Sequence, residues 1–275
     1  MYRILKKRPL HDMVTLMEIE APHVARKAQP GQFIIFRIDE RGERIPLTIA
    51  GYDREKGSVT IIFQKVGAST RRLDELNQGD ALLDFVGPLG EPSHLEGVQK
   101  AAVIGGGLGV AIAYPQAKAL FEKGAQVDTI VGFRSQDLII LKEELAAAST
   151  TLTVMTDDGS NGSQGFVTQA LEAKLAAGES YDVVIAIGPL PMMKAVCEVT
   201  RPYGIKTIVS MNPVMIDGTG MCGGCRITVG GQTKFACVDG PDFDGHLVDF
   251  DEAMRRSRMY KEQEAHACRL TGGVR

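Results

Sequence analysis

Ala101-Ala102-Val103-Ile104-Gly105-Gly106-Gly107-Leu108-Gly109-Val110-Ala111 is the stretch on which the architecture of this chain turns. Its small and branched apolar residues read as a short buried strand and its glycines as a tight turn. From Val110 onward the chain reads as a helix that runs to Lys123 and is closed by Gly124. This unit opens an alternating series. Residues 127–133, 152–156, 183–187 and 205–210 read as strands, and 138–147, 166–177 and a segment from Met192 as helices. Such alternation predicts an α/β unit with a parallel sheet covered on both faces.

Upstream of that unit the rhythm is different. Residues 31–38, 45–52, 58–65 and 81–86 are short runs rich in β-branched or aromatic side chains, with a hairpin loop at 53–57 and one short helix near 71–76. That pattern predicts a small antiparallel β barrel. Downstream, glycine and cysteine dominate with little periodicity, followed by a charged helix and a tail. Four parts are therefore expected: a barrel domain at 1–98, an α/β domain at 99–210, a cysteine-bearing segment at 211–245, and a C-terminal helix and tail at 246–275.

Composition narrows the class. The 275 residues suffice for about two domains, and 44% hydrophobic residues can fill their cores. A net charge of −3 leaves no basic footprint for nucleic acid. No stretch approaches the ~20 continuous apolar residues of a membrane span, and Met1-Tyr2-Arg3-Ile4-Leu5-Lys6-Lys7 lacks the apolar core of a secretory signal. The expected setting is the cytoplasm, where thiols stay reduced. Three of the five cysteines fall within sixteen residues, which in that setting points to metal or redox chemistry and not to disulfides.

The spacing of that group is Asp217-x4-Cys222-x2-Cys225-x11-Cys237. Plant-type [2Fe–2S] sites use C-x4-C-x2-C and a distant fourth cysteine. Here Asp217 stands in the first slot, and a carboxylate is a competent ligand for ferric iron. Gly218, Gly220, Gly223 and Gly224 suit a loop wrapped closely round an inorganic core, with backbone N–H groups able to approach the sulfurs. Two other readings stand beside this one. The cysteines form a structural zinc site with His246 as fourth ligand, although the usual paired spacing is not reproduced, or they are buried unliganded thiols. Cys197 sits in an apolar helix and reads as core, and Cys268 lies in the tail with no evident partner.

Two segments carry nucleotide signals. The glycine turn Gly105, Gly106, Gly107, Gly109 follows a strand and opens a helix, where a phosphate can meet backbone N–H groups. It departs from the dinucleotide fingerprint, because the third glycine position holds Val110 and the acidic ribose ligand ~20 residues on is missing. The second strand ends instead at Phe133-Arg134-Ser135, where Arg134 either binds a 2′-phosphate or pairs with a surface acid. In the barrel, Arg44-Ile45-Pro46-Leu47-Thr48 places a cation and a hydroxyl on one strand. Gly67-Ala68-Ser69-Thr70 leads into the short helix, with Ser69 or Thr70 placed to cap it while exposed N–H groups receive a pyrophosphate. Each segment alone also reads as a plain strand or helix cap.

Taken together, these segments resemble the ferredoxin–NADP reductase superfamily, in which a flavin barrel precedes a nicotinamide domain. Arg44, Pro46, Leu47 and Thr48 match its flavin motif, and residues 67–70 its pyrophosphate segment. Gly188-Pro189-Leu190-Pro191-Met192-Met193 matches its turn beside the nicotinamide, with Ile187 where a cysteine often stands. The cysteine segment is similar to that of the dihydroorotate dehydrogenase electron-transfer subunits, whose cluster has four cysteine ligands. Asp217 is shared with the small subunits of the NADH-dependent reduced ferredoxin:NADP oxidoreductases, electron-bifurcating transhydrogenases with one aspartate and three cysteines. The resemblance covers nearly the whole chain, including Arg258-Met259-Tyr260-Lys261-Glu262. It implies FAD, a [2Fe–2S] cluster and NAD(H) or NADP(H) as cofactors. It also implies a larger flavin and iron–sulfur oxidoreductase subunit as partner, and ferredoxin reached through that partner. Hydride exchange with a flavin needs no general acid or base, so no catalytic side chain is expected. A zinc-stabilised nucleotide-binding regulator without redox turnover is the reading from a different class.

Overall fold

Lys6, Lys7 and Arg8 stand in a row near the N-terminus, yet they belong to a strand. In the computed structural model, which describes residues 1–259 and His266, β1 (Tyr2–His11) and β2 (Val14–Glu20) form an antiparallel hairpin. Cations on this strand find carboxylates: Lys6 pairs with Glu18, Lys7 with Asp74 and Arg8 with Glu144. Helix α1 (Pro22–Lys27) precedes β3 (Phe33–Arg37), β4 (Ile45–Asp53), β5 (Ser58–Gln64), α2 (Ala68–Glu75), β6 (Ala81–Leu82) and β7 (Asp84–Leu89). The sheet order is β6-β1-β2-β5-β4-β3-β7, antiparallel throughout. Only Leu83 separates β6 from β7, although they are the two outer strands. The sheet therefore curls until its edges nearly meet, and the expected single strand over 81–86 is divided between them. Ile4, Met17, Phe36, Ile61, Phe63 and Phe85 fill the interior.

The alternating part follows in the expected order, except that the helix expected over 138–147 is confined to its second half, because Leu141 takes a left-handed φ of +55° just before it. It comprises β8 (Lys100–Gly106), α3 (Val110–Glu122), β9 (Gln126–Phe133), α4 (Lys142–Ala147), β10 (Thr151–Thr156), α5 (Val167–Ala176), β11 (Val183–Ile187), α6 (Leu190–Thr200) and β12 (Thr207–Ser210). Beyond it lie a hairpin of β13 (Arg226–Val229) and β14 (Gln232–Phe235), the short β15 (Asp242–Asp244), and α7 (Phe250–Arg256). The second sheet runs β10-β9-β8-β11-β12-β15, parallel for five strands. β15 joins antiparallel to β12, so the chain after the cysteines returns to edge the sheet. A buried carboxylate ties the layers together: Asp128 on β9 accepts hydrogen bonds from Tyr181 Oη at 2.7 Å, Thr151 Oγ1 at 2.5 Å and Lys174 Nζ at 3.0 Å. Tyr260, Lys261, Glu262 and Cys268 lie outside the described residues.

Candidate functional site

The chain builds outward from β8 to β9 and β10 on one side, then crosses to β11 and β12 on the other. Where the order reverses, the turns after neighbouring strands diverge and leave a crevice. The turns after β8 and β11 form the lips of a cleft of about 810 Å³, within the usual range for small-molecule sites. Gly106, Gly107, Gly109, Arg134, Gly188, Pro189 and Met192 line it, and Gly105 does not. The glycines differ in what they allow. A side chain at Gly105 would meet the Cα of Val110 at 3.0 Å, so that glycine lets helix α3 pack on the sheet. At Gly106 it would strike the Met192 sulfur, and at Gly109 the Ile187 carbonyl. Gly107 has φ +55° and no atom within 4 Å of where a Cβ would stand, so its backbone faces open cleft. Arg134 makes no ion pair with a surface acid among the described residues and shares the cleft wall with Asp157. His11 and Gln64 from the barrel, and Ser210 and Asn212 after β12, complete the lining. No sequence signal marks these four, because separate elements bring them together.

On the barrel, Pro46, Leu47 and Thr48 pair with Ile35, Ile34 and Phe33 across β4 and β3. Gly67 is the N-cap of α2 and has no side chain to accept from the first-turn N–H groups. Thr70 reaches back from the third helical position, its Oγ1 accepting from Gly67 N at 3.1 Å, while Ser69 donates to Glu43. The first-turn amides of α2 are thereby left without a side-chain acceptor, which suits a pyrophosphate. Arg44, at the mouth of this strand, donates to the carbonyls of Ile216 at 3.0 Å and Asp217 at 3.2 Å. The barrel thus grips the start of the cysteine segment.

That segment is organised by its hairpin. Gly230 and Gly231 both have positive φ, +58° and +76°, the signature of a two-residue turn between twisted strands. The turn reverses the chain between Cys225 and Cys237 and brings their sulfurs to 3.2 Å, both buried. Cys222 is exposed. Burial pushes the Cys237 thiol up to about 12, and the Cys225 thiol beside it adds to the shift. Asp217 accepts from Thr219 N at 2.9 Å and Cys222 N at 2.8 Å. Those amides, Thr219 foremost, hold its carboxyl below the usual range. Its carboxylate therefore caps the loop in this structure, and among the described residues no three or more His, Cys, Asp or Glu side chains stand grouped as for a metal ion. Asp217 and the cysteines nonetheless surround one loop, and a carboxylate keeps lone pairs beyond those the amides use. The donors suit an iron–sulfur cluster. His246 is not brought to them, because its Nε2 lies 3.0 Å from Thr200 Oγ1, which removes the structural argument for a Cys₃His zinc site. Cys197 is core, its thiol pushed up to about 12 by burial.

Comparison with known proteins bears on both halves of this arrangement. Residues 103–198 match the oxidoreductase NAD-binding domain, and residues 212–249 match the iron–sulfur cluster binding domain of dihydroorotate dehydrogenase B. A Thermotoga maritima protein, the dihydroorotate dehydrogenase B (NAD(+)) electron transfer subunit homolog, is 46% identical across 95% of this chain and 92% of its own length. The chain belongs to this electron-transfer subunit family. Also similar is an uncharacterized Clostridium beijerinckii protein from the adh 3′ region, 53% identical over 97% of this chain and 93% of that protein. A chain in the structure of the NADH-dependent reduced ferredoxin-NADP oxidoreductase, studied for flavin-based electron bifurcation, superposes with a TM-score of 0.93 at 44% identity. That match covers 98% of this chain and 97% of the other. As a member of the electron-transfer subunit family, the chain is an NAD-linked oxidoreductase subunit with a flavin-reductase fold and a cluster-binding segment.

Proposed function

We propose that this chain is the small subunit of a ferredoxin:NADP electron-bifurcating transhydrogenase, passing electrons between NAD(H) and a larger flavin and iron–sulfur subunit. The observation that carries the electron path is the contact between barrel and cysteine segment, and Asp217 in place of a fourth cysteine is what favours the transhydrogenase. Arg44 holds the carbonyls of Ile216 and Asp217, and Gly218 packs where any side chain would collide with Ile35 and Leu89. Ser210 and Asn212 line the nucleotide cleft only a few residues before that loop begins. Nucleotide cleft, flavin-motif strand and cluster loop therefore adjoin one another.

FAD and a [2Fe–2S] cluster, when bound, supply the exchange between paired and single electrons. The chain's own residues bind and orient. The backbone at Gly107 and the turn at Gly188, Pro189 and Met192 receive the nucleotide. The first-turn amides that follow Gly67, at Ser69 and Thr70, with Arg44, would neutralise flavin phosphate, and Thr48 would offer its hydroxyl to the flavin. Asp217, Cys222, Cys225 and Cys237 hold the cluster. The four-part division at residues 98, 210 and 245 belongs to this proposal, as does residence in the cytoplasm; no helix among the described residues is long and apolar enough to cross a membrane. Met221, 87% exposed, stands with Ile216, Val214 and Val238 around the cluster loop, and this apolar rim suits a partner subunit.

A dihydroorotate-oxidising partner is the second reading, favoured by the match over residues 212–249 and by the Thermotoga maritima relative. Anaerobic titration with NADH and with NADPH, followed by flavin absorbance and cluster EPR, tests the electron path. A colourless, zinc-containing protein would end it. Identification of the co-purifying chain separates the two partners: a large ferredoxin- and NADP-linked subunit supports the first, and a dihydroorotate-oxidising subunit the second.

A further inference from the structure

At the seam of barrel, sheet and cysteine segment lies a carboxyl group that none of the sites above uses. Asp242, on β15, is partly buried as a residue, and its carboxyl oxygen Oδ1 is shut off from solvent. Its Oδ2 accepts from Ser93 Oγ at 2.5 Å and from Gln116 Nε2 at 3.2 Å. Ser93 follows the barrel, Gln116 lies on α3 below the glycine turn, and Asp242 follows the cysteine hairpin. Gly31 closes the barrel side, where a Cβ would stand 3.3 Å from the same oxygen. The backbone is sewn up around them: Ser93 N donates to Pro30 O at 2.9 Å, Glu91 N to Gly240 O at 2.7 Å and Met211 N to Pro241 O at 2.8 Å.

Among the described residues two buried oxygens here have no hydrogen bond of normal geometry, Asp242 Oδ1 and Gln116 Oε1, and the Ser210 hydroxyl is the remaining polar group against the carboxyl. The two oxygens belong to the same contacting pair of side chains. An amide and a carboxyl group that meet edge to edge make two hydrogen bonds only if the carboxyl carries a proton, since the amide then donates to one oxygen and accepts from the other. Reversing the amide does not help, because its oxygen would then face the carboxyl oxygen that it now donates to. Among the described residues no lysine or arginine is bonded to the carboxyl. Ser93, Ser210 and Gln116 are the polar side chains against it, and His94 is the ionisable group whose charge it feels. Burying an unpaired carboxylate is costly, and such groups keep their proton instead.

We infer that Asp242 is a proton-binding site: its neutral carboxylic acid donates to Gln116 and clamps the seam between barrel, α3 and β15. Burial, only partly opposed by the polar contacts of Ser93, Ser210 and Gln116 and by His94, pushes its proton affinity up. An unfolded chain releases this proton in the ordinary aspartate range while the folded chain keeps it to higher pH. Over that interval unfolding releases a proton, so stability falls as pH rises. The seam is therefore firmest in acid and loosens towards alkaline pH.

Asn is close in shape to a protonated Asp and puts an N–H donor and a carbonyl acceptor in the same places, with one further N–H. Urea unfolding midpoints of the cofactor-loaded full chain and of its Asp242→Asn variant are compared from about pH 5 to about pH 9. The variant is expected to match or exceed the wild type, with the gap widening by up to about tenfold in the folding equilibrium per pH unit until Asp242 itself ionises. The infrared difference between the two proteins at neutral pH is expected to show the carbonyl stretch of a protonated carboxyl group. A variant that is less stable by a pH-independent amount, or that fails to fold, would overturn the inference. So would carboxylate bands alone, because an ionised Asp242 bridged to Gln116 by a buried water would give them.

Discussion

Among the four glycines that end β8 and form the turn after it, only Gly107 leaves its backbone bare to the cleft; Gly105, Gly106 and Gly109 serve close packing. Gly107→Ala puts a methyl group into that space, at a left-handed φ that costs an L-residue about 1–2 kcal/mol. The expected outcome is full flavin and iron content with a KM for NADH raised about tenfold, a loss of about 1.4 kcal/mol in nucleotide binding. Unchanged NADH-driven flavin reduction would move the nucleotide elsewhere. Asp217 presents a different question, because its carboxylate already caps the loop. Asp217→Asn keeps an acceptor for the cap but is a poor iron ligand, whereas Asp217→Cys restores a thiolate. If Asp217 ligates, the Asn variant loses iron readily and the Cys variant keeps iron at a shifted potential. Wild-type iron content and potential in both would leave Asp217 as a cap alone.

Elements contribute by bringing distant groups into register. The β13–β14 hairpin sets Cys237 beside Cys225; its glycine pair is a local hairpin signal that the lack of periodicity around it hides. Replacing Gly230 and Gly231 by valines disfavours both positive-φ positions and is expected to cost iron while the NAD-binding half still folds, as judged by iron assay and circular dichroism. In the sheet, Asp128 links β9, β10 and α5. Burial pushes its carboxyl up, but hydrogen bonds from Thr151 and Tyr181 and the ammonium of Lys174 outweigh it and hold the carboxyl below its usual range. Its contribution is therefore present above the ordinary carboxyl range and lost as pH falls through its lowered value. Asp128→Ala is expected to cost about 3 kcal/mol near neutral pH, the scale of breaking a buried pair. The gap between variant and wild type in denaturant midpoint is expected to close in acid.

For the whole molecule, the decisive contacts join its parts. Arg44 serves the flavin-motif strand and the loop at Asp217 at once, so Arg44→Ala is expected to lower flavin occupancy by about one to two orders of magnitude in affinity, the scale of a lost charge-assisted bond. Absorbance against protein mass reads that loss, and full occupancy would count against the flavin assignment. The apolar rim at Ile216 and Met221 gives a test of assembly: Met221→Lys is expected to weaken co-purification of the large subunit while iron, flavin and NADH reduction persist.

Much of this was legible in the chain alone, because the signals are local. A barrel rhythm before a strand–helix alternation, a glycine turn between strand and helix, and cysteines at iron–sulfur spacing each depend on a few neighbouring residues whose periodicity follows from backbone geometry. Tertiary structure alone decided what lies between them. It divided 81–86 between opposite edges of the barrel, turned His246 to Thr200, drew Arg44 onto Ile216 and Asp217, and enclosed Asp242 with Ser93 and Gln116. Arg44 meets Asp217 across 173 residues, and Ser93 meets Asp242 across 149. No periodicity records such a meeting, because it follows from how whole sheets pack and close.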